Sequence, residues 1–167
     1  RSMKTPAFPT LMALALASIT PSATSAQSAG AAELAAVKAM FAGHYELVSY
    51  ESFRENGDVV DMDYVGRIIY DEHENMSAIG MPKSLPARAA ETDELVRGGF
   101  AYWGSVSWDV PNGVVIHHVE GSPTRGSWPG VDNVRYFEFT DEGLLKLSLK
   151  NEEGRTTGTL TWRKIEE

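Results

Sequence analysis

The spacing of apolar positions changes once along this chain, at Gly43. Ahead of it, Leu34, Val37 and Phe41 fall at i, i+3 and i+7. That spacing predicts a short helix over 33–42, with Gly43 as its C-terminal stop. From His44 onward apolar and polar residues alternate with period two, the mark of half-buried strands. Eight such runs follow, over 44–53, 65–70, 76–81, 103–110, 114–122, 133–139, 144–150 and 157–165, with a looser lead-in at 59–64 before the second. Short turn signals separate most of them: Asn56-Gly57, the acidic 71–75, Pro111-Asn112-Gly113, 140–143 and 151–154. Two connections are longer. After Pro82, Thr92 is placed to cap a short helix reaching about Tyr102, which Gly98-Gly99 would loosen into a flap. The other, 123–132, carries Trp128 at its middle.

Eight short strands in simple hairpin order predict an all-β fold, an eight-stranded antiparallel up-and-down barrel with a short N-terminal helix and a helical flap between strands 3 and 4. Closure removes the edges that an open sheet would expose. A barrel of this size is either filled by side chains or holds one small ligand. A β-sandwich is the alternative reading of the same pattern.

The chain start reads as targeting rather than fold. Met3-Lys4 is followed by the apolar run 11–19 and by Thr24-Ser25-Ala26, the order of a secretory signal peptide. The run is too short to span a bilayer. The expected organisation is a signal segment over 1–26, a flexible leader and helix over 27–42, and a barrel over 43–167. Arg1 and Ser2 precede the expected initiator Met3 and read as a remnant. The protein is therefore expected to be exported, periplasmic or secreted.

Charge narrows the partners. Cleavage after Ala26 removes Arg1 and Lys4 and no acids, so 15 basic residues become 13 against 23 acidic ones, a net charge of −10. Nucleic acids and anionic lipid surfaces need basic patches, so neither is expected as a partner. The expected partner is a small molecule, bound by a monomer or weak homo-oligomer. There is no cysteine, hence no disulfide, thiolate nucleophile or cysteine metal site.

Chemistry concentrates on the fifth and sixth runs. Val115, His117, Val119 and Gly121 share one face of the fifth, and Val114, Ile116, His118 and Glu120 share the other. The faces are almost equally apolar, so either histidine could look inward. An inward His118 with Glu120 would form a general acid/base pair, and an inward His117 would be a lone polar tip. Arg135, inward, would grip a carboxylate or phenolate. Outward, it would pair with Glu120 across strands, a nearly neutral surface contact. His117, His118 and Glu120 are thus the candidate catalytic residues, and Arg135 heads the ligand-binding candidates. Tyr102, Trp103 and Trp128 are candidates for the cavity mouth, with Trp108 and Tyr136 as further aromatic lining. No metal site is expected, because one strand face supplies at most two of the three or four ligands that zinc needs. His44 and His73 lie on other elements, and 71–74 reads as a solvated turn. No cofactor is expected either, for want of a phosphate loop, a dinucleotide fingerprint or a nucleophile elbow.

Several words along the barrel carry a family likeness: Gly43-His44-Tyr45-Glu46-Leu47-Val48-Ser49-Tyr50, Val65-Gly66-Arg67-Ile68-Ile69-Tyr70 and Ala101-Tyr102-Trp103-Gly104. His117-His118-Val119-Glu120-Gly121-Ser122, Val134-Arg135-Tyr136-Phe137 and Leu160-Thr161-Trp162-Arg163 continue it. In order and spacing, across about 40–165, the chain resembles the bacterial and fungal lipocalin-like domain family. The resemblance implies an eight-stranded barrel with a central small-molecule cavity. Related barrels include carriers and cyclase- or isomerase-type enzymes, so fold alone does not choose between binding and catalysis. One departure stands out. Lipocalin-type first strands carry Gly-x-Trp, whose Trp packs against an Arg of the last strand, whereas here the aromatic is Tyr45 and the matching Arg is Arg163. A ring-over-guanidinium contact of roughly 0.5–1 kcal/mol would survive that exchange.

Overall fold

The computed structural model describes residues 23–84 and 99–166. A helix, α1 (Ala23–Phe41), leads into nine strands: β1 (Gly43–Phe53), β2 (Val59–Asp61), β3 (Tyr64–Tyr70), β4 (Asn75–Pro82), β5 (Phe100–Asp109), β6 (Val114–Gly121), β7 (Asp132–Phe139), β8 (Leu145–Lys150) and β9 (Thr156–Lys164). Eight of them, β1-β3-β4-β5-β6-β7-β8-β9, pair antiparallel in sequence order, and β9 pairs back onto β1 to close the barrel. The ninth, β2, is a three-residue ribbon on the far half of β1, where 59–64 had read as a lead-in.

Two expectations need correction. The helix starts at Ala23, running through what reads as a flexible leader. Its alanines carry the highest intrinsic helix propensity, which favours extending the helix N-terminally from the packed turns. Side chains 27–33 are all exposed, and packing starts at Leu34 and ends in the fully buried Phe41. The flap falls mostly on 85–98, outside the described residues. Its expected end is strand: Tyr102 pairs with Ala78, and Phe100 with Gly80.

Barrel interior and exterior follow the pleat. Tyr45 and Leu47 face in on β1; a bulge at Val48 then breaks the alternation, so Tyr50 also faces in. Val48 itself is exposed. At the end where α1 docks, Phe41 enters the barrel edge-on to Tyr70, Trp108, Phe137 and Phe139, with ring centroids 5.1–5.6 Å apart. Such pairs add roughly 0.5–1.5 kcal/mol each beyond area burial. Tyr45 closes the seal by donating its hydroxyl to the Met40 carbonyl at 2.6 Å. The cation over the Tyr45 ring is Lys164, at 5.7 Å, and not Arg163. Arg163 sits one residue earlier on β9, points outward and bonds Glu46 at 3.3 Å. Among the described residues no comparable plug fills the far half of the barrel.

Candidate functional site

The far half holds a cavity of about 240 Å³. Its walls are aliphatic (Ile68, Ala78, Leu147, Leu149, Leu160) and aromatic (Tyr50, Tyr64, Phe100, Tyr102, Trp128, Trp162). The aromatics brace one another: Tyr50 lies edge-on to Tyr64 at 5.3 Å, Tyr64 stacks on Phe100 at 6.4 Å, and Trp128 stands edge-on to Tyr102 at 5.2 Å. Gly80 makes this possible, because a Cβ there would lie 2.4 Å from the Phe100 ring. A dry cavity of roughly 150 Å³ holds benzene, so this one suits a one- or two-ring skeleton.

Two cations line this apolar space, Arg135 from β7 and Arg125 from the loop before it. Arg125 lies over the Trp128 ring at 5.0 Å. Arg135 gives one N–H to the Val134 carbonyl at 2.8 Å. Among the described residues neither has a carboxylate within ion-pairing distance. Among the described residues no Asp or Glu lines the cavity, in a chain with 23 acidic and 15 basic residues. Arg125 is exposed, but Arg135 is half-buried, and a half-buried guanidinium without a carboxylate is costly unless something else supplies the negative charge.

Beneath the cavity lies a buried polar chain. His117 points inward from β6 and is 0 % exposed. Its Nε2 is 2.8 Å from the Tyr70 hydroxyl and its Nδ1 is 2.9 Å from the Tyr102 hydroxyl. Burial first, and then the nearby Arg135 charge, hold the imidazole well below its usual pKa, so it is neutral. Burial pushes Tyr70 well above 10 and raises Tyr102. The positive charge of Arg135 pulls Tyr102 partly back.

The inward turn of His117 settles the other candidates of β5–β7. His118 faces out, where its Nε2 meets Ser107 Oγ at 2.8 Å and its Nδ1 meets Asp132 at 2.7 Å. That Ser–His–Asp order is the hydrogen-bond sequence of a serine hydrolase, but it lies on the outer wall, away from the cavity. Glu120 is exposed and borders an outer groove with Trp103, so it neither supports a pocket histidine nor pairs with Arg135. Trp103 faces out, 51 % exposed, against the expectation that it sits at the mouth. Tyr136 also faces out, with Lys150 Nζ 3.8 Å from its ring centre. Trp108 is inside but at the sealed end, beside Phe41. For the four that face out the reason is strand parity, which places alternate residues on opposite faces, and for Trp108 it is position along the barrel, at the end that Phe41 fills. Tyr102, Trp128 and Arg135 are the ligand-binding candidates that do line the cavity. Sequence reasoning missed Tyr50, Tyr64, Phe100, Arg125 and Trp162. Phe100 was reachable as the residue two before Tyr102, and Arg125 as the cation three before Trp128; Tyr50 was hidden by the bulge.

Among the described residues, no three His, Asp or Glu side chains converge to hold a metal ion. No described helix is long and apolar enough to cross a membrane.

A closed antiparallel barrel with an aromatic cavity in one half and a helix sealing the other is the architecture of a small-molecule-binding β-barrel. A family model of the lipocalin-like domain matches residues 42–165, and the chain belongs to that family. Among curated proteins, no match is found. Among solved structures, the chain is similar to a redesigned beta barrel, with 11% sequence identity, a TM-score of 0.44, and coverage of 77% of this chain and 95% of that one.

Proposed function

We propose that this protein is an exported carrier that holds a small apolar or aromatic molecule, bearing an acidic group, inside its barrel, as a monomer or weak homo-oligomer. One observation carries the reading: two arginines line an otherwise apolar, aromatic cavity in an acid-rich chain, with no carboxylate partner among the described residues. The lipocalin-like family supports small-molecule binding in general, and the order of basic, apolar and small residues over 3–26 supports export. The catalytic alternative, a cofactor-free isomerase, cyclase or lyase with a pocket histidine, draws less support. Both nitrogens of His117 are engaged by tyrosines, and His117 is not among the residues lining the cavity.

The test is a titration followed by tryptophan fluorescence, since Trp128 and Trp162 line the cavity. The panel comprises one- and two-ring aromatic and branched aliphatic carboxylates, each with its carboxamide. Carboxylates should bind at least tenfold more tightly than their amides, and Arg135→Met should remove that preference. A panel without a single binder, or carboxylates that bind Arg135→Met as well as the parent, would refute the proposal.

A further inference from the structure

The chain Tyr70–His117–Tyr102 has a direction, and hydrogen-bond accounting fixes it. A neutral imidazole has one donor and one acceptor nitrogen. Tyr70 is 2 % exposed, and its hydroxyl has one described hydrogen-bond partner, His117 Nε2. If Nε2 carried the proton, Tyr70 would have to accept and its own buried O–H would have no acceptor, an arrangement that folded proteins avoid. Tyr70 therefore donates to Nε2, the proton sits on Nδ1, and Nδ1–H donates to the Tyr102 oxygen. The Arg135 guanidinium lies close enough to Tyr102 for its positive charge to act on the phenol. With its oxygen already accepting from Nδ1–H, the Tyr102 O–H is left to donate elsewhere, and both Tyr102 and Arg135 line the cavity.

We infer that His117 is a positioning residue, locked as the Nδ1–H tautomer by Tyr70, and that it turns Tyr102 into a fixed O–H donor beside Arg135. The deep end of the cavity thereby recognises an acceptor-only group, an ionised carboxylate or phenolate, which enters first and leaves the ring system among Tyr64, Phe100 and Trp128. This rests on the acid-binding reading above and adds the orientation, the second donor and the rejection of groups that must themselves donate. Trp162 supports a donor-rich lining: it lines the cavity, and its indole Nε1 has no hydrogen-bond partner among the described residues. Arg125 stacks on Trp128 and lies close enough to Tyr64 to act on its phenol, so it belongs to the mouth.

The first measurement needs no ligand. Nitrogen-15 NMR of histidine-labelled full-length protein, with the His117 signals assigned by their loss in His117→Gln, should show a protonated Nδ1 and a bare Nε2. A protonated Nε2, or an imidazolium, overturns the inference and leaves the Arg135-based reading standing. The second uses 2-naphthoate as probe and 2-methylnaphthalene as its neutral reference. Tyr102→Phe should weaken naphthoate about tenfold or more and leave the neutral probe within twofold. Tyr70→Phe, away from the cavity, should give a mixture of His117 tautomers and a smaller loss of naphthoate affinity. Arg125→Met should cost less than Arg135→Met. Equal naphthoate affinity in the parent and Tyr102→Phe overturns the inference. An Nδ1–H tautomer in a protein that binds no carboxylate instead overturns the acid-binding reading beneath it.

Discussion

At the scale of single residues the fold turns on one buried imidazole. His117 is neutral in the native barrel to a pH well below 6.5, while the unfolded chain takes up a proton near 6.5. The unfolded state thus binds more protons in that window. The stability due to His117 is complete above about 6.5 and falls as pH drops below it. Urea unfolding between pH 5 and 8 should show this loss, with a His117 share of up to about 1.4 kcal/mol per pH unit. His117→Gln should lower stability at pH 8 and flatten the acid limb, and an unchanged limb would contradict a neutral buried His117. Residue type was readable in the sequence here, and residue orientation was not. The two faces of β6 are almost equally apolar, so pattern could not choose between His117 and His118. The choice is made by partners far along the chain: Tyr70 at 47 residues' remove, and the pairing of His117 with the inward-facing Val106. Arg135 was expected to grip an acid and Tyr102 to sit at the cavity mouth; both line the cavity, but the contact of Tyr102 with His117 needed β5 and β6 in register.

At the scale of elements, α1 serves as a stopper, and its working part is its last turn. Phe41 touches four aromatic rings from β3, β5 and β7, whereas 27–33 are exposed. Phe41→Ala should therefore cost about 3–5 kcal/mol, and truncation up to Leu34 about 0.5 kcal/mol or less, as read by urea midpoints. Equal costs would contradict the stopper. Alkaline pH probes the same seal: burial lifts Tyr45 from 10.0 to about 12. The native state thus holds a proton that the unfolded chain releases, so the Tyr45 contribution is present below about 10 and lost as pH rises toward 12. Tyr45→Phe should flatten that alkaline fall in stability. The strands were legible because alternation and turn residues such as Asn56-Gly57 mark them directly; β2 was not, being a three-residue ribbon with all its side chains exposed. The N-terminal half of α1 was missed because its alanines carry no amphipathic signal.

The whole molecule divides its chemistry between two faces of one wall. Alternation along β5 alone sends Tyr102 into the cavity and Trp103 out to solvent. The barrel itself could be read from strand count and order, since eight hairpin-linked strands need closure to lose their edges. That it is hollow in one half and plugged in the other could not, because the plug comes from a helix docking across the strand ends. Trp103→Phe should accordingly leave carboxylate affinity unchanged, whereas Trp128→Ala should reduce it, as measured by calorimetry. The most direct test of the account is a crystal structure of the protein with the tightest carboxylate of the panel. The account predicts ligand inside the far half of the barrel, its acid within hydrogen-bond distance of Arg135 and the Tyr102 hydroxyl, and its ring against Trp128. Ligand seated in the outer groove beside Trp103 and Glu120, or an acid pointing out of the barrel toward Arg125, would contradict it.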